Sequence, residues 1–171
     1  MTVRPHTISC FFIFLIICLL IPGCSQEKEH EKLSAPDFVL RDLSGKEVSL
    51  RQHKGQIVLL DFWATWCPPC RRSIPELVGL QEKYRDQGLV VLGVSADDLR
   101  KTSINTLLAF KERFKINYSI LLADQHVTRA YFGNGQMPLP TLFVIDRDGK
   151  VVDNIVGYAP GALESALKKL L

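Results

Sequence analysis

Residues 57–70 read Ile57-Val58-Leu59-Leu60-Asp61-Phe62-Trp63-Ala64-Thr65-Trp66-Cys67-Pro68-Pro69-Cys70. The first eight form a strand-like apolar run broken by one charge, Asp61. The last four put two cysteines where a helix is expected to begin. Pro68 is tolerated there because the first N–H groups of a helix have no intrahelical partner. Those same unpaired N–H groups, with the positive end of the helix dipole, favour a thiolate on Cys67. Its pKa is expected below the free value of about 8.5, which makes Cys67 the attacking sulfur. Cys70, one turn on and more buried, can resolve the mixed disulfide that results. Pro68 and Pro69 stiffen the loop and remove N–H donors from the neighbourhood of the Cys67 sulfur, so they tune its redox behaviour.

Asp61 is a candidate proton acceptor. A carboxylate inside an apolar run is desolvated and its pKa rises. Such a group can take the proton of Cys70 as that thiol attacks; the alternative is a structural acid at a strand end. Two plainer readings of the cysteine pair are weak. A structural zinc needs four ligands, and there is no second CxxC, while His30, His53 and His126 are isolated. No metal is therefore expected. A purely structural disulfide across so small a loop would remove little chain entropy.

Working outward, Phe38-Val39-Leu40 and Val48-Ser49-Leu50 flank Asp42-Leu43-Ser44-Gly45-Lys46 as a hairpin. A helix is predicted from Pro68 to Gln87, with Leu77, Leu80 and Tyr84 on its apolar side and Gly88 at its stop. Leu89 to Ser95 is a second buried strand. Thr106 to Phe114 reads as a helix, Ser119 to Leu122 as a short strand and Val127 to Phe132 as a short helix. Thr141 to Ile145 and Val151 to Val156 bracket the turn Asp146-Arg147-Asp148-Gly149. Pro160 to Leu171 closes the chain as a helix, with Lys168 and Lys169 near its negative end. Strands alternating with helices, then an antiparallel pair, give an α/β sandwich with a mixed sheet. The Ile57 and Leu89 strands should be parallel with a right-handed crossover.

The chain of 171 residues carries a net charge of +3, spread along its length, which argues against nucleic acid as a partner. Arg4 followed by the apolar run Ile8–Ile21 reads as a targeting segment, too short for a membrane span of about 20 residues. Leu20-Ile21-Pro22-Gly23-Cys24 resembles a bacterial lipobox, in which the signal is cut before the cysteine and the cysteine carries lipid. Residues 1–23 are then a signal peptide, Cys24 the lipidation site, 24–34 a charged tether and 35–171 the folded domain. An uncleaved anchor and ordinary secretion are the alternatives, and all three place the domain outside the cytosol. Of five cysteines, Cys10 and Cys18 would leave with the signal and Cys24 would be acylated. Only Cys67 and Cys70 remain to form disulfides.

The strand, WCPPC and helix arrangement resembles thioredoxin. From Ala35 to Leu171 the chain is similar to the membrane-attached TlpA/ResA-like group of thioredoxin-like proteins. The shared motifs are Ala35-Pro36-Asp37-Phe38 with Asp42 and Gly45-Lys46, the WCPPC, Leu139-Pro140-Thr141, and Asp146 with Gly149-Lys150. The resemblance implies a thioredoxin-like three-layer sandwich, a mixed sheet with helices on both faces, extended by an N-terminal β-hairpin and an inserted αβ element. It implies that Pro140 is a cis-proline facing the CxxC, presenting backbone to an extended substrate segment together with Leu139. It makes Trp66 the tryptophan flanking the nucleophile, Pro75 the proline within the active-site helix, and Asp61 the buried acid of thioredoxin. Two departures matter. Many relatives carry Glu three residues after the second cysteine, where this chain has Ser73. Thioredoxin has a lysine on the neighbouring strand, and Leu89–Ser95 has none, which leaves any shift at Asp61 to burial.

These readings imply a thiol-disulfide oxidoreductase that uses no cofactor beyond the Cys67–Cys70 disulfide. Its partners would be exported disulfide proteins, apocytochrome c among them, a membrane thiol-transporting reductant, and the lipid bilayer through the N-terminus. Reduction of substrates is favoured over oxidation by Asp61 and by the resemblance. A peroxidase is a competing class, but peroxiredoxins place Thr three residues before the reactive cysteine, where Ala64 stands. A copper carrier of this fold would separate its cysteines by three residues rather than two and add a distant His. Arg71 and Arg72 read as a solvated helix face or a patch for an acidic partner, and Asp97-Asp98-Leu99-Arg100-Lys101 as a loop.

Overall fold

The computed structural model describes residues 33–171. Residues 1–23, read above as a signal peptide, Cys24 and nearly all of the segment read as a tether lie outside the described residues. The order of elements is β1 (Val39–Arg41), β2 (Glu47–Ser49), β3 (Ile57–Trp63), α1 (Pro68–Tyr84), β4 (Leu89–Ser95), α2 (Ile104–Arg113), β5 (Ser119–Leu122), α3 (Gln125–Phe132), β6 (Thr141–Ile145), β7 (Val151–Val156) and α4 (Ala162–Leu167). The main sheet has the strand order β5-β4-β3-β6-β7. β3 runs parallel to β4, and β4 to β5, while β6 is antiparallel to both β3 and β7. The inserted α2–β5 unit thus widens the sheet beyond β4, and β1 and β2 pair as a separate hairpin.

Every residue of β3 is buried, as a central strand covered on both faces requires. Its side chains nevertheless divide by parity. Ile57, Leu59 and Trp63 join Ile74 and Leu77 of α1, Leu163 and Leu167 of α4, and Phe110 of α2. Val58, Leu60 and Phe62 join Phe38, Leu40 and Val48 of the hairpin region and Val127 of α3. This is the three-layer sandwich, with the hairpin supplementing α3 on the thinner side. On that side Phe62 meets Phe132 edge to face at 4.9 Å and Phe143 at 6.0 Å between ring centroids.

Several boundaries differ from the sequence reading, each for a local reason. The hairpin strands pair over Val39–Arg41 and Glu47–Ser49, because Asp42 Oδ1 accepts from the amides of Ser44 and Lys46 and closes the turn. Leu50 then leaves the strand for a short 3-10 helix. The helix of α1 stops at Tyr84, and one 3-10 turn carries the chain to Gly88, whose φ of +86° suits glycine. α2 starts at Ile104 because the hydroxyl of Ser103 caps it by accepting from the Thr106 amide. α3 starts at Gln125 because the carboxylate of Asp124 accepts from the Val127 amide. α4 covers only Ala162–Leu167; Lys169 and Leu170 close i→i−3 bonds instead, so the terminus ends in turns.

Candidate active site

The sheet delivers Cys67 at the C-terminal end of β3 and the first turn of α1. Cys67 is the N-cap residue, with extended φ and ψ of −87° and 107°, and Pro68 and Pro69 occupy the first helical positions. Those prolines lack N–H groups, so the first available donor is the amide of Cys70, which lies 3.3 Å from Cys67 Sγ. The cysteines are joined as a disulfide with Cα atoms 5.3 Å apart. Cys67 and Cys70 are both buried. Beside them Trp66 is 63% exposed, an unusual position for so large an apolar ring. The Leu139–Pro140 peptide bond is cis. Pro140 immediately precedes β6, the antiparallel neighbour of β3, so its loop belongs to the strand next to the one that presents Cys67.

Asp61 lies on β3, on the same side of the sheet as Trp63, Cys67 and Cys70 by strand parity. It is wholly buried, and neither carboxylate oxygen has a hydrogen-bond partner. Desolvation alone pushes its pKa up from 3.8 to about 8. Ser73, standing where many relatives have Glu, is buried and donates its hydroxyl to the Cys70 carbonyl at 2.9 Å. It serves the helix backbone and offers no carboxylate, so the acid on this side comes from the sheet.

Residues 32–154 match the sequence profile described as the AhpC/TSA family. The chain belongs to the AhpC/TSA family. It is 34% identical over 171 residues to thiol-disulfide oxidoreductase ResA of Bacillus thuringiensis strain Al Hakam, covering 92% of this chain and 95% of that protein. A second relative of the same name, from Geobacillus thermodenitrificans, is 40% identical over 124 residues, covering 72% of this chain and 68% of its own length. Among solved structures, a thiol:disulfide interchange protein of the thioredoxin family from Chlorobium tepidum superposes with a TM-score of 0.71 at 29% identity, over 81% of this chain and 96% of that one. This AhpC/TSA-family chain is a thiol-disulfide oxidoreductase of thioredoxin-like fold.

The structure also places beside the cysteines two residues to which the sequence had given little. Asp97, read as part of a loop, is buried, and its carboxylate accepts from the Thr65 amide at 2.9 Å, the Thr65 hydroxyl at 2.6 Å and the Ser95 hydroxyl at 2.9 Å. It ties the turn before Cys67 to the end of β4. Arg71 donates its Nε to the Thr65 carbonyl at 2.7 Å and holds the same turn from the helix side. Thr65 therefore has both its backbone groups and its hydroxyl fixed, two residues before the reactive sulfur. The one sequence signal was a short acid just past a buried strand, on the edge where parallel sheets of this kind place their sites. His53 and His126 lie far apart in the chain and join no metal-ligating group among the described residues.

Proposed function

We propose that this oxidoreductase reduces disulfides of exported proteins on the outer side of the cytoplasmic membrane. The observation that carries the reading is the Cys67–Cys70 pair at the head of α1, with an amide aimed at the Cys67 sulfur and an unpartnered carboxylic acid on the same face of the sheet. Cys67 as thiolate attacks one sulfur of a substrate disulfide; the substrate's other sulfur leaves, and a mixed disulfide forms. Asp61 takes the proton of Cys70, whose sulfur then attacks Cys67 and releases the substrate's second thiolate. The enzyme is left oxidised. Trp66 and the Leu139–Pro140 backbone hold the extended segment of the substrate on either side of its cysteine. Pro68 and Pro69 set the potential by withholding amides from the sulfur. No cofactor takes part beyond the disulfide itself.

Lipid on Cys24 would anchor the domain, and residues 25–34 are long enough to hold it up to about 35 Å from the surface. Two electrons from a membrane thiol-transporting reductant would return the dithiol. The ResA name of the relatives, set against the departure at Ser73, leaves apocytochrome c as one exported substrate among others. The test is the equilibrium of the Cys67/Cys70 couple against glutathione, with insulin reduction as the activity. A potential near the reducing end of this fold, about −270 mV, supports the reading; one near −120 mV makes the chain an oxidant and overturns it.

A further inference from the structure

The face of the sheet that carries Asp61 buries two more polar groups that the mechanism above leaves unused. Trp63 Nε1 and the Tyr118 hydroxyl are both buried and without a hydrogen-bond partner, and so are both oxygens of Asp61. Buried donors and acceptors are nearly always paired, because leaving one unmet costs about 1–3 kcal/mol. Two orphan donors beside an orphan acceptor of two oxygens are chemically complementary.

Gly93 brings them together. It is the β4 residue opposite Asp61 in the parallel register. A Cβ built there would lie 2.9 Å from Trp63 Nε1 and 3.1 Å from the ring of Tyr118. The bare glycine therefore lets the indole nitrogen and the phenol ring close over the strand directly beside Asp61. Trp63 is held in that pose by stacking on Phe110, with centroids 5.1 Å apart. Burial raises the pKa of Tyr118 well above that of a free phenol, and the nearby charge of Asp61 adds to the rise.

We propose that Trp63 Nε1–H and Tyr118 O–H are positioning donors for Asp61, meeting its carboxylate directly or through one bound water when it ionises. They take the place of the cation that this chain lacks on β4. The role rests on the reading of Asp61 as proton acceptor. When Cys70 gives its proton to Asp61, the carboxylate loses its charge and the donors relax; when that proton later passes to solvent, they hold the returning charge. No oxidant or reductant enters this exchange. The other buried titratable groups near this face are Cys67 and Cys70, Tyr84, whose hydroxyl is already engaged with Glu164, and Asp97, whose carboxylate is taken up by Thr65 and Ser95.

The test titrates the carboxyl infrared band of the full-length oxidised protein, in which Cys67 and Cys70 do not ionise, with Asp61→Asn identifying the band. Tyr118→Phe removes one donor and keeps the ring. A hydrogen bond to a charged group is worth about 1.5–3 kcal/mol, so the Asp61 midpoint should rise by about one pH unit or more. Gly93→Ala keeps both donors and pushes them away, and should move the midpoint in the same direction. The rate of mixed-disulfide resolution should follow the same displaced pH profile. An unmoved midpoint in both variants, with near-ultraviolet circular dichroism unchanged, overturns the inference. If Asp61→Asn itself leaves resolution unaltered while the midpoint still moves in Tyr118→Phe, the donors stand and it is the catalytic reading of Asp61 that falls.

Discussion

Replacing Asp61 with asparagine removes a charge that folding must otherwise suppress. The carboxyl ionises near 3.8 in the unfolded chain and near 8 in the folded one, because burial penalises only the charged form. Below pH 3.8 it is neutral in both states and costs nothing. As pH rises above that value the unfolded carboxyl ionises and the folded one does not, so stability falls. Each pH unit in that interval is worth about 1.4 kcal/mol. The loss reaches about 4 kcal/mol by pH 7 and levels off at about 5–6 kcal/mol above pH 8. Asparagine has nearly the same shape and no such titration. Urea denaturation of oxidised wild-type protein and Asp61→Asn, followed by tryptophan fluorescence at pH 5, 7 and 9, isolates the effect, since every other group titrates alike in both. The stability advantage of the variant should widen by about 4 kcal/mol between pH 5 and pH 9, reduced by whatever Trp63 and Tyr118 give the carboxylate. An advantage that stays constant with pH would mean the carboxyl is solvated in the folded state, and the argument from burial would fail.

Cys67→Ser should abolish insulin reduction, whereas Cys70→Ser should accumulate a one-to-one mixed disulfide with substrate, visible on a non-reducing gel. Asp97→Ala strips two hydrogen bonds from the turn before Cys67 and one from Ser95 at the end of β4, and each such bond to a charged group is worth about 1.5–3 kcal/mol before repacking. A drop of about 3 kcal/mol in chemical denaturation is expected, together with slower thiol exchange; unchanged stability would show that solvent readily replaces Asp97. Leu77→Ala, at a wholly buried position of α1, should cost about 2–5 kcal/mol in the same assay. Peroxide should be a poor substrate, since Thr65 commits its hydroxyl to Asp97 and Ala64 offers none; turnover of peroxide at rates comparable with protein disulfides would contradict this.

Residues 57–70 by themselves determined the strand, the helix start and the pair of sulfurs, because these depend on near neighbours: an unbroken apolar run, prolines that only a first turn tolerates, and a cysteine spacing of one turn. The acid in that run was equally visible, since no local arrangement could hydrate it. Element ends were less legible: the caps at Ser103 and Asp124 moved the starts of α2 and α3 by two residues, and α4 was shortened by Gly161 at its start and by turns at its end. What only the tertiary structure decided are contacts between residues about 30 to 60 positions apart. Asp97 reaches Thr65 because β3 and β4 lie side by side in parallel, and Gly93 brings Trp63 and Tyr118 to Asp61 by the same register. Side-chain periodicity reports which face is buried, but it carries no information about which polar group on one strand meets which on the next; that is fixed by strand register and by the space a missing Cβ leaves.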